Sequence, residues 1–332
     1  MNRTPSPPAV RALGSGLAFA ALAAVIAAGA LMLGPAGFGW PDTSTDAGRM
    51  LWELRVNRLL TGFMVGAALA TSGVILQALL RNPLADPYVL GVSSGAGLGA
   101  ALAVLGGAGS LWLLPGAAFL GGVTALAIVY ALACAGRGGA SIFSLLLSGV
   151  IVSAMASSVL MLAVSLAPVE GMHNVLWWML GNVQMAPPAL LAIAGALTAA
   201  GALAAARGGR SLNALSLGPE AAHHLGVPAR AMTALWLVIA ALLTAAAVAV
   251  AGMVGFVGLL VPHAARAWFG PDHRRLPICA AALGGLFLVA CDTLARAISG
   301  SRELPIGVVT ALLGGPFFLY LLIRRRREGW VE

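Results

Sequence analysis

Residues 59–79 read LLTGFMVGAALATSGVILQAL, a run that contains no charged side chain. A helix needs about 20 apolar residues to cross the hydrocarbon core of a bilayer, so this run is long enough to span a membrane. Within it, Gly62 and Gly66 form a GxxxG pair. This spacing lets two helix backbones approach closely in lipid. The run therefore predicts a membrane-spanning helix that packs tightly against another helix.

The composition extends this interpretation to the whole chain. Its 332 residues are 60% hydrophobic and 9% charged, and the mean hydropathy is +0.95. A soluble domain carries about 25% charged residues. This chain has too few charges to cover a water-facing surface, so we expect an all-α polytopic membrane protein.

Ten apolar runs predict ten membrane-spanning helices within a single transmembrane domain, residues 1–332. The first run is longer than the roughly 7–15 apolar residues of a signal peptide, so we expect a retained helix. The third and eighth runs are short or interrupted by glycine. The runs lie near residues 12–34, 59–79, 90–108, 111–135, 141–167, 188–206, 229–251, 254–269, 276–298 and 304–323.

The basic residues predict the orientation of the chain. All 19 are arginines, and with a cytoplasmic N-terminus 14 of them lie on the inner side and five on the outer side. Positive charge is enriched in cytoplasmic loops. The tail 1–11, the loop 207–228 and the tail 324–332 are therefore predicted to be cytoplasmic. The arginines form no dense basic patch with interleaved aromatic residues, so the sequence does not suggest a nucleic-acid partner.

Several chemistries are excluded or disfavoured by residue type. Without lysine, the chain has no P-loop lysine for ATP and no Schiff-base lysine for a cofactor. Cys134, Cys279 and Cys291 lie far apart in apolar runs, and the five histidines form no ligand pattern. We expect no metal site, no cofactor and no catalytic residue. An intramembrane enzyme is disfavoured because no pair of nucleophile and base is visible in the spans.

Two short segments on the predicted inner side break the apolar pattern. In RNPLADP, residues 81–87, two prolines forbid a continuous helix, and nearby polar side chains can satisfy the freed backbone groups. The residues of this predicted structural turn are Asn82, Pro83, Asp86 and Pro87. Residues 217–228 instead predict a complete short helix, with Pro219 suited to its first turn and Gly226 suited to its end. This helix is either a docking element or an interfacial helix without a partner.

On the predicted outer side, Arg55, Arg58 and Arg296 run against the general charge bias. They either recruit an acidic partner or an anionic substrate, or they pair locally with Glu53, Glu303 or Asp292. Asp292 is the one acidic residue well within a span, and it precedes Arg296 by four residues. This spacing favours a structural ion pair. A proton-coupled carrier that uses Asp292 remains the rival.

These motifs, taken in order, resemble the FecCD-type permeases, which are membrane subunits of importers for iron–siderophore, haem and vitamin B12. The resemblance runs from about residue 50 to the C-terminus. One departure is Val56-Asn57, where the family usually has Leu-Pro. The matching residues are 55–58, 66–73, 77, 81–87, 90–97, 178–181, 217–222, 225–227, 255–263, 272–274, 292, 296 and 303–307.

The resemblance implies the type II ABC importer permease fold, with ten spans and both termini inside. It further implies a homodimer or close heterodimer in the lipid bilayer of the inner membrane, two separate ABC ATPase subunits, and a solute-binding protein. A ferric siderophore is the expected cargo, with vitamin B12 or haem as alternatives. Arg55, Arg58 and Arg296 match arginines that dock the binding protein, and Ser141, Ile142, Phe143 and Ser144 match a cytoplasmic gate. The implied ATPase-coupling helix comprises Leu217, Gly218, Pro219, Glu220, Ala221, Ala222, Leu225 and Gly226.

Overall fold

The computed structural model describes residues 8–34, 37–107, 112–135, 141–183, 185–299 and 304–327, and within these ranges the chain is almost entirely helical. A short antiparallel hairpin, β1 (Leu33–Gly34) and β2 (Gly37–Phe38), follows the first helix. The helices are α1 (Pro8–Met32), α2 (Asp46–Leu79), α3 (Val92–Leu105), α4 (Leu113–Cys134), α5 (Ile142–Ser165), α6 (Val169–Met179), α7 (Pro188–Arg207), α8 (Gly209–Ser216), α9 (Pro219–His224), α10 (Ala229–Ala251), α11 (Val257–Phe269), α12 (Leu276–Ser299) and α13 (Ile306–Arg327).

Each of the ten apolar runs coincides with a helix, and the architecture is that of a multi-pass membrane protein. Six helices of the described ranges are long and apolar enough to cross a bilayer, namely α2, α4, α5, α7, α10 and α12. The apolar parts of α1, α3 and α13 are shorter, and α11 has 13 residues with Pro262 inside it. The predicted count of ten complete spans therefore stays a prediction.

The segments predicted as loop or tail contain more helix than expected. Residues 207–228 hold two short helices, α8 and α9, where the sequence predicted one. The helix α6, before α7, was not predicted as an element. Of the two predicted tails, 1–11 overlaps the start of α1 and 324–332 overlaps the end of α13, while residues 1–7 and 328–332 lie outside the described ranges.

The core is built around α2. From Thr61 to Leu79 nearly every residue of α2 is buried, because α10 and α12 pack along it. At Gly66 the α12 backbone comes so close that a Cβ would overlap the carbonyl of Gly284. The close helix packing predicted from the GxxxG pair is confirmed at this glycine. The hydroxyl of Ser72 adds a polar link to α10, because it donates to the carbonyl of Ala240 at 2.8 Å.

Irregular backbone interrupts the bundle between α10 and α11. Gly252 and Phe256 both have positive φ, at 69° and 68°. Tyr88 spans this break, because its hydroxyl accepts from the N–H of Val254 at 2.8 Å and donates to its carbonyl at 2.9 Å. Non-helical backbone at membrane depth is tolerated only where protein or water satisfies its polar groups. Tyr88 supplies that satisfaction here.

Candidate functional site

The candidate functional residues form two groups at opposite ends of α2. Arg58 lies in the first half of α2, whereas the turn that contains Arg81 follows its end. At 1.5 Å of rise per residue, Arg58 and Leu79 are about 32 Å apart along the helix axis. The hydrocarbon core of a bilayer is about 30 Å thick. The two groups therefore lie near opposite membrane surfaces.

At the Arg81 end, α9 has the capped geometry that its sequence predicted. Pro219 occupies the first turn and Glu220 lies beside the helix N-terminus. Gly226 has φ of 75°, and its N–H donates to the carbonyl of His223 at 2.9 Å. The N–H of Val227 donates to the carbonyl of Ala222 at 2.9 Å, which completes a Schellman motif. The helix ends at these residues for local reasons alone.

This short helix is anchored on one side and exposed on the other. Ala222 is fully buried, whereas Leu217 and Leu225 expose 68% and 63% of their surface. Glu220 is also exposed. Two exposed leucines beside an acidic residue, on a helix with fixed ends, form a compact contact surface.

The preceding helix α8 is held to the loop between α11 and α12 by a chain of hydrogen bonds. The side chain of Asn213 donates to Asp272 at 2.8 Å and accepts from the backbone N–H of His273 at 3.0 Å. Its oxygen also lies 2.7 Å from Nδ1 of His273. The hydrogen bond from Asn213 lowers the pKa of Asp272. Asn213 was missed by the sequence analysis, although Asp272 and His273 belong to a matching motif.

The turn between α2 and α3 has the side-chain roles that were predicted for it. Asn82 accepts from the N–H of Leu84 at 2.9 Å, and Asp86 accepts from the N–H of Tyr88 at 2.8 Å. Asp86 thereby caps a one-turn 3-10 helix, Pro87–Leu90, and burial raises the pKa of its carboxyl group. Pro83 lies between these two capped turns. The expectation that Asn82 and Asp86 satisfy freed backbone groups is confirmed.

At the other end of α2, one carboxylate holds two arginines. Nε of Arg58 lies 2.9 and 3.1 Å from the two oxygens of Asp292, and Nε of Arg296 lies 3.0 Å from the second oxygen. Their side chains are 18%, 5% and 11% exposed for Arg58, Asp292 and Arg296. The predicted ion pair between Asp292 and Arg296 is confirmed. Arg58 joins the pair from α2.

The remaining arginine contacts fix the end of α1 and the hairpin that follows it. Arg55 donates to the carbonyls of Leu31 at 2.6 Å and Gly39 at 2.8 Å. Arg296 donates to the carbonyls of Leu33 and Ala30. The last carbonyls of a helix lack partners within the helix and carry partial negative charge, so they favour cations. All three predicted docking arginines thus have partners within this chain, while Glu303 lies outside the described ranges.

The predicted gate residues lie at the beginning of α5. Ser141 caps the helix by accepting from the N–H of Ser144 at 3.0 Å, and the two hydroxyls are 2.8 Å apart. Phe143 exposes 74% of its surface and Ile142 is half-buried.

Within the described ranges, no group of three His, Cys, Asp or Glu side chains could share a metal ion.

Comparison with known proteins places this architecture in a family. The model of the FecCD transport family matches residues 17–324. The hemin transport system permease protein HmuU of Yersinia pestis is 37% identical over 295 residues, which cover 87% of this chain and 88% of that protein. The cobalamin import system permease protein BtuC of Halobacterium salinarum is 40% identical over 328 residues, with coverages of 96% and 83%.

A solved structure agrees with the sequence comparison. A protein described as a metal-chelate type ABC transporter, in an inward-facing conformation, superposes with a TM-score of 0.84 at 30% identity. The superposition covers 93% of this chain and 98% of that one. Family, fold and membrane-spanning composition agree. The chain belongs to the FecCD transport family and is an ABC importer permease, a transport subunit and not an enzyme.

Proposed function

We propose that the chain is the permease subunit of an importer that moves a metal chelate across the inner membrane. The observation that carries the proposal is the family match over residues 17–324. Ten spans form one domain, with the two termini, α8 and α9 on the cytoplasmic side. The excess of arginine on that side supports this orientation.

The short helix α9 is proposed to be the contact with a separate ATPase subunit. Its support is the fixed geometry at both ends and the exposed Leu217, Glu220 and Leu225. A movement of this surface passes through α8 and Asn213 to the loop between α11 and α12. Substitution of Glu220 and Gly226 by other residues should reduce the amount of ATPase subunit that co-purifies with the permease. Undiminished recovery would refute the role of α9.

A solute-binding protein is proposed to dock at the other end of α2, through carboxylates near Arg55, Arg58 and Arg296. Their position away from the Arg81 end of α2, where α9 lies, and at the predicted outer surface supports this role. Because these arginines already bind Asp292 and the end of α1, an incoming carboxylate has to add to existing contacts. Charge reversal of Arg55 should abolish stimulation by the binding protein without preventing insertion. Unchanged stimulation would count against docking there.

A second permease subunit is proposed to complete the pathway, as a homodimer or a close heterodimer. The exposed Phe143 at the start of α5 supports a gate that closes against its counterpart. Apolar constrictions of this kind block passage by excluding water.

A ferric siderophore is the proposed cargo. Two relatives are named for hemin and cobalamin, so these chelates are the alternatives. Uptake of labelled ferric siderophores, hemin and cobalamin should be compared between a deletion strain and its complemented parent. Selective loss of ferric siderophore uptake supports the proposed cargo. Selective loss of either other chelate would overturn the cargo and leave the transport role standing.

A further inference from the structure

An open groove of about 900 Å³ lies beside the beginning of α9 and takes no part in the function proposed so far. Its walls come from five places in the chain: the end of α2, the turn after it, α8, α11 and the loop between α11 and α12. Polar side chains are concentrated there. The polar lining includes Gln77, Arg81, Asn213, His263, Arg266, Asp272 and His273, and Asp272, the one carboxylate among the described lining residues, accepts from Asn213 and from the N–H of Arg274.

Arg81 supplies to this groove a positive charge that has no ion-pair partner in the described ranges. It follows α2 with φ of 49°, a conformation that L-residues other than Asn and Asp rarely adopt. Its side chain is exposed and, within the described ranges, makes no hydrogen bond or ion pair. Nη1 of Arg81 lies 3.3 Å from the position that a Cβ on Gly218 would occupy. The free guanidinium is thus held beside Gly218, the residue that directly precedes α9.

Gln77 contributes a buried acceptor without a donor. Its Nε2 donates towards the carbonyls of Ala85, Gly258 and Leu259 at 3.2–3.3 Å, which fixes the orientation of the amide. The opposite atom, Oε1, is buried and has no partner in the described part of the chain. The residue is 3% exposed. A buried polar atom without a hydrogen bond is costly and calls for an explanation.

His273 contributes a second acceptor of the same kind. Because Asn213 donates its Nδ2 to Asp272, its Oδ1 is an acceptor, and Nδ1 of His273 must carry the proton of their 2.7 Å hydrogen bond. Burial, with the nearby Arg266, lowers the pKa of His273 to about 4. The ring is therefore neutral at pH 7 and Nε2 holds a lone pair. That atom is buried and, among the described residues, unpartnered, in a side chain that is 6% exposed.

We propose that this groove is a second contact for the ATPase subunit, and that it receives a peptide segment carrying a carboxylate for Arg81 and hydrogen-bond donors for Gln77 and His273. The inference rests on the proposed function. A peptide supplies both chemistries, since its backbone N–H groups donate and an acidic side chain pairs with arginine. Occupation of the groove links the ATPase subunit to the end of α2, the central helix of the core, in addition to α9.

The test uses the purified complex of permease and ATPase subunits in lipid nanodiscs. Arg81→Asn removes the charge and tolerates the positive φ, and Arg81→Glu reverses the charge. Arg210→Glu is the matched control, because Arg210 is exposed on α8 and does not line the groove. Loss of one charge-assisted hydrogen bond weakens binding about ten-fold. We expect that loss for Arg81→Asn, a larger loss for Arg81→Glu, and less than a two-fold change for Arg210→Glu (about 0.4 kcal/mol).

A photo-crosslinker at Pro83, which also lines the groove, provides a second measurement. It should capture the ATPase subunit, and excess free acidic peptide should reduce this capture. Normal ATPase affinity of both Arg81 variants, or capture of lipid alone, would overturn the groove while leaving α9 as the contact. If the unmodified permease retains no ATPase subunit at all, the proposed function itself fails.

Discussion

Replacement of Asp292 by Asn tests the charge cluster at the outer end of α2. The change keeps the shape of the side chain and removes the charge that faces both Arg58 and Arg296. Removal of one partner from a buried ion pair costs about 3–5 kcal/mol, because it leaves a charge without compensation. Here two guanidinium groups lose the same carboxylate. Arg296 keeps its carbonyl partners. The side chain of Arg58 is 18% exposed, so its charge is not fully enclosed. We therefore expect a loss near the lower end, about 3 kcal/mol.

The assay is reversible unfolding of the purified chain in mixed micelles, with the free energy of unfolding as readout. Asp46→Asn is the matched control, because Asp46 pairs with Arg49 on the same helix but is 96% exposed. An exposed pair contributes about 0–1 kcal/mol. Equal effects of the two substitutions would refute the buried cluster.

Three further predictions concern single contacts in the fold. Tyr88→Phe leaves the N–H and carbonyl of Val254 without their partner and should cost about 1–3 kcal/mol, measured by thermal unfolding; an unchanged Tm would contradict the bridge. The pKa of His273 is about 4 in the fold and about 6.5 in the unfolded chain. The contribution of the neutral ring to the free energy of unfolding is therefore complete above pH 6.5 and is lost as the pH falls towards 4. Asparagine does not titrate, so the free energy of unfolding of His273→Asn should depend less on pH between 4 and 6.5. An equally steep pH dependence in this variant would assign the effect to other groups. Gly66→Ala should cost about 1–3 kcal/mol through overlap with α12, whereas Gly195→Ala, with open space around it, should be neutral in the same unfolding assay.

The elements that sequence analysis located correctly are those whose signals are local. The run at 59–79 lies inside α2, and the proline and glycine that bound α9 are adjacent to it in sequence. In the same way, Asp292 and Arg296 are four residues apart and could be paired from helical spacing alone. These predictions needed no knowledge of how distant segments meet.

The missed features depend on contacts between distant segments. The sequence left Asp292 open as a partner of the outer arginines, but Arg58 and Asp292 are separated by 234 residues, so no spacing rule could select this pair. α8 was missed because Arg210 and Asn213 interrupt any apolar run, and its stability comes from packing and from the Asp272 loop. Asn57, which departs from the family pattern, binds both backbone groups of Ala186 at 2.9 and 3.0 Å. That role becomes visible only when α2 and the segment before α7 are placed together.

The contacts at the end of α1 also constrain the order in which the chain can mature. α1 is synthesised before α12, and Arg296 of α12, which binds the carbonyl of Ala30 in α1 and that of Leu33 just after α1, is made more than 260 residues later. Arg55 can bind the carbonyls of Leu31 and Gly39 early, as soon as α2 has inserted. During most of translation, this end of α1 can therefore form its contacts with Arg55 but not those with Arg296. A nascent chain that stops before α12 lacks the Arg296 contacts to the carbonyls of Ala30 and Leu33, so this end of α1 reaches its final set of contacts only once α12 is in place.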